Sequence, residues 1–392
     1  MKLSTRIQQV QPSATLTINA KASQLRAQGR DVLSLAAGEP DFPPPEHVLQ
    51  AAREAIDLGF SRYTPVPGIP ELRQAVADYF QHQYAFPAAA DMTVVTNGGK
   101  QGLYNLCQIL LDPGDEVLIP APYWVSYPDM VSLAEGTPVI VPTQPEQSFL
   151  LNPRDLESAL TSKTRVLILN TPSNPTGCHY SQQRLDQIID WAISQDLFVI
   201  SDEIYDQFVY PPAEPATAVH WLHKAPEQVA VVNGLSKCFA LTGWRIGYVL
   251  ADPKIIASLS KIQGQSTSNI CSIAQKAALA ALTGSWDFLE EQRRIFRARR
   301  DKAMEIMATW PEVQCPEPEG AFYLFPRLDS TFSSAIPDST ALCAHLLDKA
   351  EVALVPGRAF GDDRCLRLSY ATDELTLMQG LERIGHALQA MR

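Results

Sequence analysis

Between residues 92 and 250, short apolar runs rich in β-branched residues recur, and helix-like stretches separate them. Strands that alternate with helices predict a largely parallel sheet covered by helices on both faces. The predicted strands are residues 92–96, 116–120, 138–141, 165–170, 197–202, 229–233 and 246–250. Ligands of such sheets bind at the carboxyl ends of the strands. The residues that follow each apolar run are therefore the candidates for a functional site.

The length of 392 residues suggests two domains. We predict an N-terminal arm over 1–45 that belongs partly to a smaller domain, a large domain over 46–285 and a small C-terminal domain over 286–392. The arm carries a predicted helix at 15–28, with Pro12 and Ser13 as its N-terminal cap.

Beyond the arm and the sheet, periodicity predicts helices at 46–59 and 273–282 and a long charged helix at 286–310. We interpret the arginines of the long helix as a solvated face between two domains. Short apolar runs at 320–325, 352–355 and 365–371 predict the strands of the small domain.

Composition excludes several classes of protein. The net charge of −11 argues against a general nucleic-acid binder, because phosphate backbones require a basic surface. No apolar run reaches the roughly 18 residues of a membrane span, and the first residues lack the apolar segment of a signal peptide. Seven scattered cysteines without a C-x-x-C pair indicate reduced thiols and no metal site. We therefore expect a cytoplasmic protein.

The most informative side chain is Lys237, which follows an apolar run and the break at Asn233–Gly234. No acidic residue is close to it in the sequence, and the next cation along the chain is Arg245. A lysine among apolar neighbours and near another cation loses proton affinity, and a neutral lysine reacts with carbonyl groups. The alternative, a solvated turn lysine, does not explain the Ser-Lys pair and the Thr-Gly-Trp-Arg that follows.

Residues that follow other predicted strands each suit a particular kind of ligand group. Glycines at Gly98–Lys100 open a helix whose amides favour an anion, although the spacing matches neither nucleotide-binding motif. Trp124 suits stacking on a planar ring, and Asp202 would need a positive partner such as a protonated pyridine. Tyr205 is placed to bond a ring oxygen, and the isolated Arg367 matches a carboxylate. Taken singly, these residues also suit a turn, a core aromatic, a helix cap and a buried ion pair.

The segment SKCFALTGWRIGY around Lys237 resembles the cofactor-lysine signature of class-I aminotransferases, the fold-type-I pyridoxal phosphate (PLP) enzymes. The resemblance covers nearly the whole chain through GEPDF, NGGK, PYW, NPTG, DEIY and RLSYA. It implies an α/β fold in which a mostly parallel seven-stranded sheet lies between helices, with a smaller α+β domain. It also implies PLP as cofactor and a homodimer with shared active sites.

The resemblance further implies a role for each matching residue. The catalytic residues would be Lys237, Asp202 and Tyr205. The cofactor contacts would be Gly98, Gly99, Lys100, Trp124, Asn174, Asp202, Tyr205, Ser236, Lys237 and Arg245, with Tyr63 reaching the phosphate in the neighbouring subunit. The substrate contacts would be Thr15, Gly38, Lys100, Trp124, Asn174 and Arg367. The chain departs from many relatives at Gly234, where they have a serine that contacts the phosphate.

The segments SATLTINAKA, VTNGGKQ and PYWVSYP are most similar to the bacterial aspartate aminotransferase subgroup. In that subgroup Thr15 and Lys100 would lie near the distal carboxylate of the substrate. We therefore expect ping-pong transfer of an amino group between L-aspartate and 2-oxoglutarate. Prephenate amination to arogenate, alone or beside the aspartate activity, stays open. A PLP-fold regulator without catalysis is disfavoured, because Lys237 is present and no DNA-binding segment precedes Thr15.

Overall fold

The structure of the protein is a computed structural model that describes residues 3–10, 12 and 14–391. Its helices are α1 (Thr5–Gln9), α2 (Ala14–Ala27), α3 (Glu46–Asp57), α4 (Pro70–Tyr84), α5 (Gly99–Leu110), α6 (Tyr127–Leu133), α7 (Pro153–Glu157), α8 (Gln182–Ser194), α9 (Trp221–Lys224), α10 (Pro253–Ser266), α11 (Ser272–Thr283), α12 (Phe288–Met307), α13 (Ser339–Lys349) and α14 (Glu374–Ala390). Its strands are β1 (Leu33–Ser34), β2 (Thr93–Asn97), β3 (Glu116–Ala121), β4 (Thr137–Pro142), β5 (Thr164–Asn170), β6 (Phe198–Asp202), β7 (Val229–Gly234), β8 (Ile246–Ala251), β9 (Tyr323–Leu324), β10 (Val352–Ala353), β11 (Val355–Pro356) and β12 (Leu366–Ser369). No helix in these ranges is long and apolar enough to cross a membrane.

The central sheet has seven strands in the order β2-β8-β7-β6-β5-β3-β4, and β8 alone runs against its neighbours. All seven predicted strands are confirmed. Every residue of β6, β7 and β8 is buried, which explains why these strands read as continuous apolar runs. Successive side chains point to opposite faces: Val94 packs in the cluster with α5 and α10, and Val95 in the cluster with α3 and α4. Helices therefore cover both faces, as predicted.

Two smaller sheets involve the C-terminal part of the chain. β1 pairs with β10 in parallel, and β11, β12 and β9 form an antiparallel sheet. The single strand predicted over 352–355 is wrong, because the chain changes sheets at Leu354. Residues 352–353 pair with β1, and Val355 and Pro356 pair with β12. The predicted domain boundaries at 45 and 285 stay predictions.

The predicted helices correspond to α2, α3, α11 and α12, with ends that differ by a few residues. The predicted cap of α2 at Ser13 lies outside the described residues. The interpretation of α12 as a wholly solvated face is wrong for Arg299 and Arg300, which are buried. Tertiary contacts stabilise both guanidinium groups: Arg300 donates to the carbonyl of Pro318, and Arg299 pairs with Asp41.

The ion pair between Arg299 and Asp41 connects α12 to the loop that follows β1. Two parallel hydrogen bonds of 2.8 Å join the side chains, which are 10% and 24% exposed. We expect Asp41→Asn to lower the free energy of unfolding of the cofactor-free protein by about 2–3 kcal/mol, because a nearly buried guanidinium loses its counter-ion. Urea unfolding measures the change. Glu291→Gln, which breaks the exposed pair with Arg294, is the control and should have no measurable effect. Equal effects of the two substitutions would contradict the prediction.

Candidate active site

A cavity of about 600 Å³ opens at the carboxyl ends of the parallel strands. Asn170 and Asp202 reach it from the last residues of β5 and β6, and Lys237 reaches it just after β7. Twelve of the residues predicted from the sequence line the cavity. They are Thr15, Gly38, Gly99, Lys100, Trp124, Asn174, Asp202, Tyr205, Ser236, Lys237, Arg245 and Arg367.

Lys237 has the unusual environment that its sequence neighbours predict. Its Nζ donates a 2.6 Å hydrogen bond to the carbonyl oxygen of Gly38 and forms no ion pair with a described carboxylate. Burial lowers the pKa of Lys237 to about 8, with Arg367 and Arg245 acting in the same direction and Glu39 opposing them. A substantial fraction of this amine is therefore neutral near physiological pH, which nucleophilic attack on a carbonyl requires.

The lowered pKa of Lys237 predicts how its reactivity depends on pH. In cofactor-free protein, brief acetylation at increasing pH should label Lys237 with a midpoint near pH 8, because only the neutral amine reacts. Lys254 is the control: it is fully exposed, and the hydrogen bond with Glu227 raises its pKa. Its labelling should continue to rise past about pH 10. Mass spectrometry of the two peptides measures both curves. Coincident midpoints would contradict the assignment of a perturbed Lys237.

One end of the cavity is suited to an anion. Gly99, Ser236 and Arg245 line it together, and Gly99 begins α5, so backbone amides and a guanidinium face the same space. Arg245 is fixed by donating to the carbonyls of Thr242 and Asn97, at 2.9 and 3.1 Å. Gly98 has φ +76°, and any Cβ there would collide with the Arg245 guanidinium. Gly98 thus lies behind the arginine and shapes this end without lining it.

The departure at Gly234 has a steric reason. A Cβ on Gly234 would lie 2.7 Å from the carbonyl oxygen of Ile246 and 2.8 Å from the Cα of Gly247, because β7 and β8 approach closely there. A serine at this position would force the strands apart. Within this chain the side-chain hydroxyl at the anion end therefore comes from Ser236, which is buried.

The buried carboxylate of Asp202 lies at another wall of the cavity. It accepts a 2.6 Å hydrogen bond from Tyr127 Oη and a 3.3 Å bond from the amide of Ile204. Burial raises the pKa of Asp202 to about 6, against the effect of these hydrogen bonds and of Lys237. No ion pair forms between Asp202 and a described cation. A ligand that carries a protonated ring nitrogen would supply the missing positive charge.

Arg367 is the complementary case, a buried cation without a described carboxylate partner. Its guanidinium donates to Asn174 Oδ1 at 3.0 Å and to the carbonyl of Ala36 at 2.8 Å, and its Nε has no partner. The group also lies over the rings of Tyr323 and Phe360. Since a buried charge is costly without a counter-ion, this site is suited to a carboxylate that enters with the substrate.

The rim of the cavity combines α2 with the start of α5. Thr15, Leu16 and Asn19 reach it from α2. Lys100 Nζ donates to Ser126 Oγ at 3.1 Å and lies 4.8 Å from the Trp124 ring centroid. Partial burial and the nearby Arg245 lower the pKa of Lys100. A second anionic group of a ligand would find this lysine at the rim.

Two predicted residues do not line the cavity: Gly98, described above, and Tyr63, whose side chain is 91% exposed. Sequence reasoning also missed residues of the site, among them Asn170, which lines the cavity. Tyr127 was visible in the PYWVSYP segment, three residues after Trp124, but nothing indicated its contact with Asp202. Tyr323 stood in an apolar run that was interpreted only as a strand.

The residues present fit PLP. The cavity provides an anion end for a phosphate, a buried carboxylate without a cation for a pyridine nitrogen, and a partly neutral lysine for an aldehyde. PLP carries all three of the matching groups: a phosphate, a pyridine nitrogen and an aldehyde.

Comparison with known proteins identifies the family. The family model "Aminotransferase class I and II" matches residues 30–384. A bifunctional aspartate aminotransferase and glutamate/aspartate-prephenate aminotransferase of Petunia hybrida is 45% identical over 402 residues, which cover 100% of this chain and 84% of the relative. The aspartate aminotransferase of Bacillus subtilis is 40% identical, with 98% of each chain covered.

Solved structures agree with this result. Aspartate aminotransferase from Thermus thermophilus with maleate superposes with a TM-score of 0.93 at 42% identity, over 99% of this chain and 100% of the other. The expected fold type I is thereby confirmed, and class-I aminotransferases of this type use PLP. The protein belongs to the class I and II aminotransferase family and is a PLP-dependent enzyme.

Proposed function

We propose that the protein is an aspartate aminotransferase that moves an amino group between L-aspartate and 2-oxoglutarate, giving oxaloacetate and L-glutamate in ping-pong order. The observation that carries this proposal is the pair of cations, Arg367 and Lys100, in the same cavity as Lys237. Dicarboxylic substrates present two anionic groups to such a pair. The names of the Bacillus subtilis and Thermus thermophilus relatives support the same substrate class.

In this proposal the chain's residues hold the cofactor and orient the substrate. The start of α5, Ser236 and Arg245 would bind the phosphate, Trp124 would cover the ring, and Asp202 would hold the proton of the pyridine nitrogen. When bound, PLP supplies an electron sink for negative charge that develops at the substrate's α-carbon.

Lys237 and Arg367 would then control the reacting bonds. Arg367, held by Asn174, would bind the α-carboxylate and orient the C–H bond that breaks. Lys237 Nζ would take the α-proton and return a proton as general base and acid, a role for which a pKa near the operating pH is favourable. Tyr205 would donate a hydrogen bond to the ring oxygen of the cofactor.

A second candidate activity is the amination of prephenate, alone or beside aspartate. The name of the Petunia hybrida relative, at 45% identity, favours it. Thr15 and Lys100 would serve the distal carboxylate of either acid, so they do not discriminate between the two.

Acceptor specificity tests the proposal. Enzyme loaded with the amino group should return to its aldehyde form rapidly with oxaloacetate and 2-oxoglutarate. The absorbance change gives a rate constant per unit concentration for each acceptor, and the ratio of these constants measures the specificity. Faster reaction with prephenate than with both would replace the aspartate assignment by the prephenate one. No spectral change with any of the three acids would contradict the aminotransferase proposal.

We further propose that two chains form a homodimer with shared sites. The exposed Tyr63 is absent from the cavity of its own chain, and a groove of about 810 Å³ adjoins that cavity at Arg245 and Lys100. In the groove, Tyr104, Val125 and Leu133 present apolar surface suited to a second copy. Sedimentation velocity checks the assembly, and a monomer at micromolar concentration would contradict it.

We also propose a cytoplasmic location. All seven cysteines are free thiols, and five of them are buried. Unpaired thiols are typical of a reducing compartment. Fractionation of the source cells with an antibody to the protein tests this, and recovery from an oxidising compartment would contradict it.

A further inference from the structure

Tyr323, on β9, touches the site at three points, although the proposed mechanism gives it no role. Its hydroxyl lies 2.8 Å from that of Tyr205, and its ring lies under the guanidinium of Arg367, 4.7 Å from Cζ to the ring centroid. A Cβ added to Gly38 would lie 3.2 Å from the same hydroxyl. One side chain therefore contacts residues assigned to the cofactor, to the substrate carboxylate and to the loop after β1.

The pairing of β9 with β12 places Tyr323 beside Arg367. Tyr323 lies opposite Ser369, and Arg367 is two residues before Ser369, so the tyrosine and the arginine are diagonal neighbours on one face. Tyr205, by contrast, follows β6 of the central sheet. The hydrogen bond between the two phenols thus connects the central sheet to the strand pair that carries the carboxylate-binding arginine.

The two phenols are not equivalent. Both are buried, and their rings meet at 84° with centroids 5.8 Å apart. Burial raises the pKa of both. At Tyr323 the guanidinium of Arg367, which lies over the ring, opposes the effect of burial, whereas the pKa of Tyr205 lies well above its ordinary value. The more acidic phenol of such a pair is the better donor. The two hydroxyls lie 2.8 Å apart and either can donate; when Tyr323 donates to Tyr205, the proton of Tyr205 is left free for an acceptor in the cavity.

We propose that Tyr323 is a positioning residue, which orients the hydroxyl of Tyr205 so that Tyr205 donates its proton to the oxygen of the bound PLP ring. The inference rests on the proposed function, because it assigns Tyr205 the ring oxygen as acceptor. Tyr323 itself acts through Tyr205 and not on the reacting atoms. A chain of two hydrogen bonds makes Tyr205 a stronger donor than an isolated phenol.

The test is the pH titration of the absorbance spectrum of PLP-loaded protein without substrate. A hydrogen bond to the charged form of the ring oxygen favours that form, so losing the Tyr205 hydroxyl should move the spectral midpoint to higher pH. We expect Tyr205→Phe to give the largest shift and Tyr323→Phe a shift in the same direction of roughly half a pH unit. The double variant should titrate like Tyr205→Phe alone, because Tyr323 acts only through Tyr205.

Tyr370→Phe is the matched control. Tyr370 is equally buried and lies next to β12, but its hydroxyl bonds the carbonyl of Ala321 at 3.3 Å and does not line the cavity. It should titrate like the unmodified protein. Tyr323→Gln, which retains an N–H donor, is a second and independent replacement and should shift the midpoint less than Tyr323→Phe if its donor reaches Tyr205.

The outcomes separate this inference from the function on which it rests. An unshifted midpoint in both Tyr323 variants would overturn the inference if the unmodified protein binds PLP and transaminates. Full additivity of the Tyr323→Phe and Tyr205→Phe shifts, or an equal shift in Tyr370→Phe, would also overturn it. Failure of the unmodified protein to take up PLP would instead contradict the proposed function.

Discussion

Replacing Lys237 with alanine is expected to lower kcat by at least about 10⁴-fold, because the substitution removes both the covalent attachment point and the general base. The variant should still bind PLP without a covalent bond, since the anion end and Asp202 are unchanged. Absorbance after gel filtration measures retained cofactor, and amino-acid turnover measures activity. Sustained multiple turnover by the purified variant would contradict the role assigned to Lys237.

Lys237→Arg is the matched variant that separates charge from reactivity. It keeps a cation beside Gly38, but a guanidinium neither attacks the aldehyde nor gives up its proton near neutral pH. We expect turnover as low as in Lys237→Ala. Substantial activity in the arginine variant would mean that Lys237 contributes only its charge to the cavity.

Replacing Arg367 with leucine has the second largest expected effect. The substrate loses a buried bidentate partner for its α-carboxylate, so kcat/KM for both amino acids and both oxo acids should fall by about 10²–10³-fold. The variant should still bind PLP, because Arg367 contacts Asn174, Ala36 and Tyr323 and not the anion end. Steady-state kinetics with each substrate measures the loss.

Arg300→Leu is the control for removing a buried arginine. Arg300 is also almost fully buried, but it donates to Pro318 and pairs with Asp301, away from the cavity. Its replacement should lower the stability of the protein while kcat/KM of the folded enzyme stays near the original value. An equal loss of kcat/KM in both variants would show that Arg367 acts through the fold and not through the carboxylate.

Much of the site was predictable because strand ends and catalytic positions coincide in a parallel sheet. Asp202 ends its strand and Lys237 follows the next one, so order along the chain already places them at one edge. Arg367 was predictable for a different reason: an isolated arginine in an apolar strand needs an anion. The individual roles of these residues stay predictions until the variants are measured.

What escaped prediction depends on contacts between segments that are distant in the chain. Asp202 bonds Tyr127 across 75 residues, and Tyr205 meets Tyr323 across 118 residues. A buried tyrosine reads as core from its sequence, because nothing local shows where its hydroxyl points. The same limit affected α12, where Arg299 is buried against Asp41, 258 residues away.

Local sequence patterns were enough to predict the central α/β sheet, the position of the cavity at its strand ends and the family. Those features follow from local periodicity and short segments, which each stretch of chain expresses independently of the others. The folded structure was needed to show how the strand predicted over 352–355 divides between two sheets and why Gly234 cannot carry a side chain. It was also needed to show which phenols contact Asp202 and Tyr205. These outcomes depend on packing and hydrogen bonding between remote segments, whose free energy exists only once the whole chain has folded.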